Sequence, residues 1–413
     1  MILKELTIKD WRNYDELRLS LYPTLNIFLG PNGQGKTNLL ESIFYLCYGK
    51  NFRGNKDKEL VHWNRQYFRL QGMFSLDEGE RTHHLEIYYD AVHRKRLRLN
   101  GVKYTRMSKL PTRLSAVLFT PDDLAIIKGG PSERRHFIDR ELEALYVDYD
   151  TTRYAYERVC SQRSELLRDI RRGRVQKEML VPWNLQMVDF GVQMIRRRLN
   201  LLAFLVPQAR KVHAFLTKGT ANFDVTYQSS LGQVLHEDDA HLKQHFMQLL
   251  EELEPEEIAR GQNLVGPHRD DLIFYENGID LRTYGSQGQQ RTAILSMKMA
   301  AIDAYEHLLG QKPLLLLDDV MSELDYHRQR AVMEIVIKKK IQTFITGTAL
   351  DFTFNHFGYD PIFHIKDGQV TTGWQPLLAC SGFFVWQYVI NKEFFSQKRH
   401  VSQNIGNEVA KKC

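Results

Sequence analysis

Cysteine is scarce in this chain. Only Cys47, Cys160, Cys380 and Cys413 occur in 413 residues, and they lie far apart. No two share a C-x-x-C spacing, which argues against a thiolate zinc site and against a disulfide framework. A reducing, cytosolic compartment is therefore expected. Long hydrophobic runs are also missing. The longest nearly apolar stretch, Leu377 to Ile390, is broken by Ser381 and Gln387 and is too short to span a bilayer. The opening MILKELTIKDW is charged throughout and has no apolar centre, so no secretory signal is expected. Neither sign of charge dominates. Lysine and arginine number 56 and aspartate and glutamate 50, leaving +6, which permits an anionic partner without demanding one. There is no internal repeat and no sustained heptad pattern, so no long coiled coil is expected. No G-x-S-x-G nucleophile motif stands out. His241 and His245 are four apart, but no glutamate lies between them and no third ligand is clear, so they read as a solvated helix face rather than a zinc site.

What is present describes a globular protein. Apolar residues make up 43% and charged residues 26%, and at about 150 residues per domain the length suggests two or three domains. Residues 1–120 read as β-rich with one helix. Tyr67–Leu76, Leu85–Asp90 and Arg94–Leu99 form an expected antiparallel meander, and Asn100-Gly101 closes a hairpin because both residues tolerate positive φ. Residues 131–260 read as helical, punctuated by Pro182 and Gly191. The acidic stretch 236–257 reads as a solvated helix face or loop. Asn277-Gly278 marks a second hairpin. Leu314–Leu317, a continuous apolar run, and Ile341–Ile345, apolar but for Gln342 and Thr343, are expected to be strands buried on both faces.

Gly30-Pro31-Asn32-Gly33-Gln34-Gly35-Lys36-Thr37 matches G-x-x-x-x-G-K-[ST] in full, between a strand signal and a helix signal. Glycines allow backbone N–H groups to converge on a polyphosphate, and the helix N-terminus adds partial positive charge. Lys36 supplies a point charge for the β- and γ-phosphates, and the Thr37 hydroxyl can ligate Mg²⁺. Asp318 and Asp319 end an apolar strand at the edge where α/β sheets bind ligands. Neighbouring strand residues face opposite sides, so we assign Asp318 to Mg²⁺ and Asp319 to the attacking water. Tyr284-Gly-Ser286-Gln287-Gly288-Gln289-Gln290-Arg291 precedes an apolar helical stretch. Ser286 is a good N-cap there, and Gly288 allows close approach by an anion.

The order of these motifs resembles the ABC-type ATPase heads of the SMC and RecF class, and among them the RecF family. The resemblance rests on Gly30–Glu41, Tyr284–Thr292 and Leu314–Asp325. Trp11-Arg12-Asn13-Tyr14, Leu118–Leu124 and Gly266-Pro-His-Arg-Asp-Asp271 add to it. It covers roughly residues 1–372. It implies an α/β fold with a mixed sheet, an antiparallel β subdomain and a helical lobe. The implied division is an ATPase lobe from 1–120 and 311–372, a helical lobe at 121–310 carrying the signature motif, and an unassigned tail at 373–413. It also implies a composite site. Lys36, Thr37, Asp318 and Asp319 of one subunit and Ser286, Gly288 and Gln289 of a second would meet on one ATP. Arg12 and Asn13 would approach the base or the α-phosphate. The implied activity is ATP-dependent dimerisation on DNA near single-strand gaps, slow ATP hydrolysis, and recombinase loading with RecR and RecO type mediators and, indirectly, RecA. Gln287 stands where the common ABC signature has its first glycine. Asp319 stands where the common catalytic residue is Glu. Ile345-Thr346-Gly347-Thr348 occupies the place of the switch histidine, with Thr346 or Thr348 as its stand-in.

Arg94, Lys95, Arg96, Arg98, Lys103, Arg106, Lys109 and Arg113 fall in one acid-free stretch. Arg168, Arg171, Arg172 and Arg174 form a second basic cluster, and Arg196-Arg197-Arg198 a third. Such clusters suit phosphate contacts. With no base-reading motif in the chain, binding should follow shape and charge. The rival function, the ATPase subunit of an ABC membrane transporter, calls for a glutamine in 118–124 and a switch histidine, and both are absent.

Overall fold

The computed structural model describes residues 1–76, 81–233, 238–348 and 362–373. The chain divides into two units, Met1–Trp374 and Gln375–Cys413, and all described elements belong to the first. The expectations placed on Leu377–Ile390 and on the 373–413 tail fall, beyond Gly373, outside the described residues.

The chain opens with strands β1 (Ile2–Trp11) and β2 (Tyr14–Ser20). It continues through β3 (Leu25–Leu29) into helix α1 (Lys36–Tyr48). Strands β4 (Tyr67–Ser75), β5 (Thr82–Asp90), β6 (Arg94–Leu99) and β7 (Val102–Tyr104) follow. With the first two they form an antiparallel sheet of order β2-β1-β4-β5-β6-β7. Asn100 and Gly101 turn β6 into β7 with φ of 50° and 83°, the left-handed pair that matches the right-handed twist of a two-residue hairpin.

Strand β8 (Ala116–Phe119) leads into helices α2 (Ala125–Lys128), α3 (Pro131–Leu145), α4 (Tyr149–Arg171) and α5 (Val181–Leu216). Strand β9 (Phe223–Gln228) and helix α6 (Asp239–Arg260) come next, then β10 (Asp271–Glu276) and β11 (Ile279–Asp280). Helix α7 (Gln287–Leu309) precedes β12 (Leu314–Asp318), α8 (Tyr326–Lys339), β13 (Thr343–Gly347), β14 (Ile362–Lys366) and β15 (Gln369–Gly373).

A second sheet runs β15-β14-β3-β13-β12-β8 and is parallel except for the β14–β15 pair at its edge. It lies between two hydrophobic cores. Leu314 and Leu316 join the core of the antiparallel sheet and α1, whereas Leu315 and Leu317 join the core of the helices. Period-two alternation between two apolar environments accounts for the unbroken leucine run. The same alternation places Ile27 in one core and Phe28 in the other. Gln342, almost fully buried, stitches the two sheets together. Its amide accepts from Leu3 N at 2.7 Å and donates to the carbonyls of Leu3 at 2.8 Å and Tyr22 at 2.7 Å.

The helical region departs from its sequence reading in two places. Gly191 does not interrupt α5. A Cβ there would come within 2.8 Å of Phe246 and 3.3 Å of Tyr156, so glycine serves close packing of α4, α5 and α6. Strand β9 breaks the expected all-helical 131–260. It pairs with β10 in a three-stranded antiparallel sheet, β11-β10-β9, a partnership set by contacts distant in sequence. The acidic stretch is largely solvated, as expected, but Glu257 is fully buried and holds Arg163 at 2.6 Å.

The Gly266–Asp271 segment fastens the small sheet to the helices. Asp270 accepts from the Tyr227 hydroxyl at 2.5 Å and from Ser230 N at 2.7 Å, and Asp271 pairs with buried Arg134 at 2.6 Å. His268 Nδ1 lies 2.7 Å from the Tyr156 hydroxyl. Burial pushes its imidazole down to about 4. Arg269, Arg135 and Arg198 add to that effect and the Asn263 carbonyl opposes it. The unfolded chain therefore binds the extra proton first as pH falls, and stability present above pH 6.5 is lost through that window toward 4. His268→Gln should flatten this acid limb by up to about 3 kcal/mol. Denaturant titrations at neutral and acid pH measure it, and an unchanged acid limb would refute the assignment.

Candidate nucleotide-binding site

The loop after β3 is shaped by its glycines. At Gly30 a Cβ would meet the Ile365 carbonyl oxygen at 2.2 Å. Gly35, with φ of 110°, would press a Cβ to within 2.4 Å of the Asn13 side chain. Asn13 Nδ2 donates to Gln34 O at 3.1 Å, and Asn13 Oδ1 accepts from Asn38 at 2.9 Å. Gln34 Oε1 in turn accepts from Asp367 N at 2.6 Å. Pro31, Asn32 and Gly33 form the exposed tip. Lys36 is buried beneath them and folds back on the loop. Its Nζ donates to Gly30 O at 2.6 Å and Pro31 O at 3.0 Å. Burial lowers the affinity of this ammonium for its proton, while Asp319 and Asp318 pull the other way.

Thr37 and Asp318 are in contact. Thr37 Oγ1 donates to Asp318 Oδ1 at 2.9 Å, and Thr346 Oγ1 donates to the same oxygen at 2.9 Å. No hydrogen bond among the described residues reaches Asp318 Oδ2. Burial raises the proton affinity of this carboxyl, and the two threonine hydroxyls oppose the rise. A cation there would offset the desolvated carboxylate, and a carboxylate with a hydroxyl is the oxygen donor set that Mg²⁺ favours. Asp319 turns away. Its φ is 55°, its N–H donates to Thr346 Oγ1 at 2.9 Å, and its carbonyl accepts from Ser322 Oγ at 2.8 Å. Asp318 ends β12, whereas Asp319 lies just past the strand in a left-handed conformation, so it is this turn rather than strand alternation that sets the two aspartates apart.

Arg12 sits beside the loop. Its guanidinium forms a bidentate pair with buried Glu41 at 2.8 and 3.0 Å and also donates to Asn55 Oδ1 and Glu59 O. Sequence reading missed the Glu41 partner, although Glu41 closes the motif one helical turn past Thr37. It also missed Thr346 as a hinge between Asp318 and Asp319. Thr348, the other stand-in considered, is exposed.

Ser286, Gly288 and Gln289 lie at the start of α7. Ser286 is its N-cap in a capping box: Ser286 Oγ accepts from Gln289 N at 3.3 Å, and Ser286 N donates to Gln289 Oε1 at 2.8 Å. Ser286 is exposed, and a Cβ on Gly288 would meet nothing within 4 Å. Both ends of the Gln289 amide are engaged within the protomer, since its Nε2 donates to Glu276 at 2.5 Å. No hydrogen bond or ion pair among the described residues joins this motif to Lys36, Thr37, Asp318 or Asp319. The motif is tied instead to the turn after β12, where Arg291 pairs with Glu323 at 3.0 Å. Deeper in α7, Lys298 donates to Leu118 O at 2.5 Å and pairs with Asp123. Burial pushes that ammonium down to about 8 against the pull of Asp123.

The basic clusters divide by burial. Arg94, Lys103, Arg106 and Lys109 are exposed and make no ion pair among the described residues. Arg172 and Arg174 share Asp169. Arg198 leaves the proposed phosphate-facing surface: it is almost fully buried, grips Asp139 at 2.8 Å and donates to Pro267 O at 2.7 Å. No helix of the described residues is long and apolar enough to cross a membrane.

Comparison with known proteins agrees with this architecture. The family described as RecF/RecN/SMC N terminal domain matches residues 2–361. The DNA replication and repair protein RecF of Heliobacterium modesticaldum is 38% identical over 90% of this chain and 99% of its own. That of Desulforamulus reducens is 40% identical over 84% and 92%. A solved structure of the recombination mediator protein RecF with ATP, in the RecFOR pathway, superposes with a TM-score of 0.81 at 31% identity, covering 90% of this chain and 97% of that one. An Smc head bound to the C-winged helix domain of ScpA shares the fold, at 14% identity and a TM-score of 0.53 over 91% and 98% of the two chains. On its fold, its motif order and these likenesses, the chain belongs to the RecF family of DNA replication and repair proteins.

Proposed function

We propose that this chain is a cytosolic, ATP-gated DNA-repair switch that works as a pair. ATP lies on Gly30–Thr37 of one protomer, and Ser286 and Gly288 of a second protomer close over its γ-phosphate. Residues 1–120 and 311–372 act as the ATPase lobe, and 121–310 as the helical lobe that reaches across. One observation carries the reading: α7 presents a capped N-terminus with Ser286 exposed and, among the described residues, nothing within 4 Å of a Cβ placed on Gly288. Helix N-termini of this kind receive anions. Gln289 holds Ser286 through its Oε1, and its NH₂, which gives one hydrogen to Glu276, keeps a second N–H for the γ-phosphate. The RecF relative solved with ATP supports the nucleotide assignment.

Thr37 and Asp318 would hold Mg²⁺, which when bound offsets the charge of the phosphates. Lys36 exchanges the Gly30 and Pro31 carbonyls for phosphate oxygens. Asp319 orients and deprotonates the attacking water. Being one methylene shorter than Glu, it suits slow turnover stimulated by DNA. Asn13 braces the loop. Arg12 steadies the wall next to the base through Glu41. The exposed cations Arg94, Lys103, Arg106 and Lys109 support sequence-independent contact with duplex DNA near single-strand gaps, and such contact weakens steeply with salt. Recombinase loading would follow through RecR and RecO type mediators and, indirectly, RecA.

The test is sedimentation with and without ATP and gapped duplex DNA. Wild type should shift from monomer to dimer with ATP. Ser286→Arg should bind ATP normally and remain monomeric, because its side chain fills the space meant for a phosphate. A Ser286→Arg variant that still dimerises with ATP would falsify the two-protomer site.

A further inference from the structure

Behind the exposed face of the α7 N-terminus runs a buried polar chain that nucleotide chemistry as described does not use. Glu276, the last residue of β10, is almost fully buried. One carboxylate oxygen accepts from Gln289 Nε2 at 2.5 Å, and the other lies 2.9 Å from His213 Nε2. His213, on α5, is fully buried, with its ring stacked on Phe223 at 4.9 Å. Its Nδ1 lies 3.1 Å from Ser296 Oγ. Ser296 Oγ donates to Thr292 O at 2.7 Å, and Thr292 Oγ1 donates to Gly288 O at 2.7 Å. The chain therefore starts at the signature motif and returns to it, through three elements distant in sequence.

Donor and acceptor counting gives this chain a purpose. A carboxylate only accepts. Glu276 therefore requires the NH₂ end of the Gln289 amide, and the carbonyl end must face Ser286 N–H, where it is found. A flipped amide would set two donors against each other at Ser286 and two acceptors at Glu276. With its backbone N–H satisfied by Gln289 and its hydroxyl oxygen accepting from Gln289 N, Ser286 has its hydroxyl proton left to give. His213 fixes the far carboxylate oxygen. Partners of fixed donor and acceptor sense at both ends hold the Gln289 amide in one geometry.

We propose that Glu276 and His213 are positioning residues: they lock the polarity of the Gln289 amide so that Ser286 offers a hydroxyl proton to the γ-phosphate held by a second protomer. This rests on the two-protomer reading above and adds its polarity control.

The experiment measures two affinities in the full chain, ATP for the monomer by calorimetry and ATP-driven self-association by sedimentation. Glu276→Ala should leave ATP affinity within about twofold and weaken association about tenfold, the loss expected for one charge-assisted hydrogen bond. If alanine unfolds the chain, Glu276→Met keeps the packing and drops both acceptors. Glu276→Gln should restore association: its carbonyl can accept from Gln289 and its NH₂ can donate to His213 Nε2 once the ring carries its proton on Nδ1. In a Gln289→Ala background, Glu276→Ala should add less than about twofold, because the carboxylate acts through that amide. Wild-type association in Glu276→Ala, no rescue by glutamine, or a fully additive double variant each overturns the proposal. Ser286→Arg separates the two ideas. If it still dimerises, the two-protomer reading fails. If it is monomeric while Glu276→Ala associates like wild type, only the positioning claim fails.

Discussion

Asp319→Asn should abolish most ATP turnover while ATP binding stays within about twofold and dimers accumulate. The substitution is conformationally cheap. Asp319 sits at φ of 55°, a left-handed setting that asparagine tolerates better than most residues. Its backbone bonds to Thr346 and Ser322 do not depend on the side chain. What is lost is the negative charge and the capacity to take a proton from water. General bases contribute about 10²–10⁴-fold, so turnover should drop by at least about 100-fold, near 3 kcal/mol. Phosphate release measures the first effect, and sedimentation at saturating ATP the second. Unchanged turnover would remove Asp319 from the chemistry. A dimer that fails to accumulate would separate hydrolysis from dissociation.

Lys36→Ala should cost the chain its ATP. The ammonium is buried below the loop and held by two carbonyls, with Asp319 and Asp318 acting on it through space. Phosphate oxygens are stronger acceptors than carbonyls, and hydrogen bonds to charged groups contribute about 1.5–3 kcal/mol each. Loss of two such bonds predicts at least about a 100-fold weaker affinity by calorimetry. Lys36→Arg should not rescue it. The guanidinium is a planar fork and does not replace a compact charge at a site cut for one. Affinity within twofold of wild type would show that the loop binds its ligand by backbone alone.

Much of this was readable from the sequence wherever the signal is local. The phosphate loop, the strand-ending Asp318-Asp319 pair, the two Asn-Gly hairpins and the capped start of α7 each depend on residues close together in the chain. Backbone conformation and strand alternation then leave few choices. What stayed hidden depends on distant partners. Gly191 reads as a helix breaker until Phe246 and Tyr156 are seen pressed against it. Arg198 reads as a surface charge until Asp139 is found beside it. The sequence places Gln289 at the phosphate but gives no sign that Glu276 also holds its amide. Strand β9, Phe223–Gln228, does alternate apolar and polar residues, a local strand signal inside a stretch read as helical, and β10 is its partner. For Gly191 and Arg198, burial and hydrogen-bond satisfaction across long separations override what the neighbouring residues suggest.

The anchoring of Lys298 at Leu118 and Asp123 bears on how two copies would communicate once joined. A rod riveted at its middle turns as a lever. Pressure applied at the Ser286 end by an incoming triphosphate cannot be absorbed by bending at that rivet. It would arrive at β8, one strand over from β12 and the Asp318 proposed to hold the metal. The clasp and the cutting edge would therefore share a mechanical linkage inside each subunit, and closing the first would set the second.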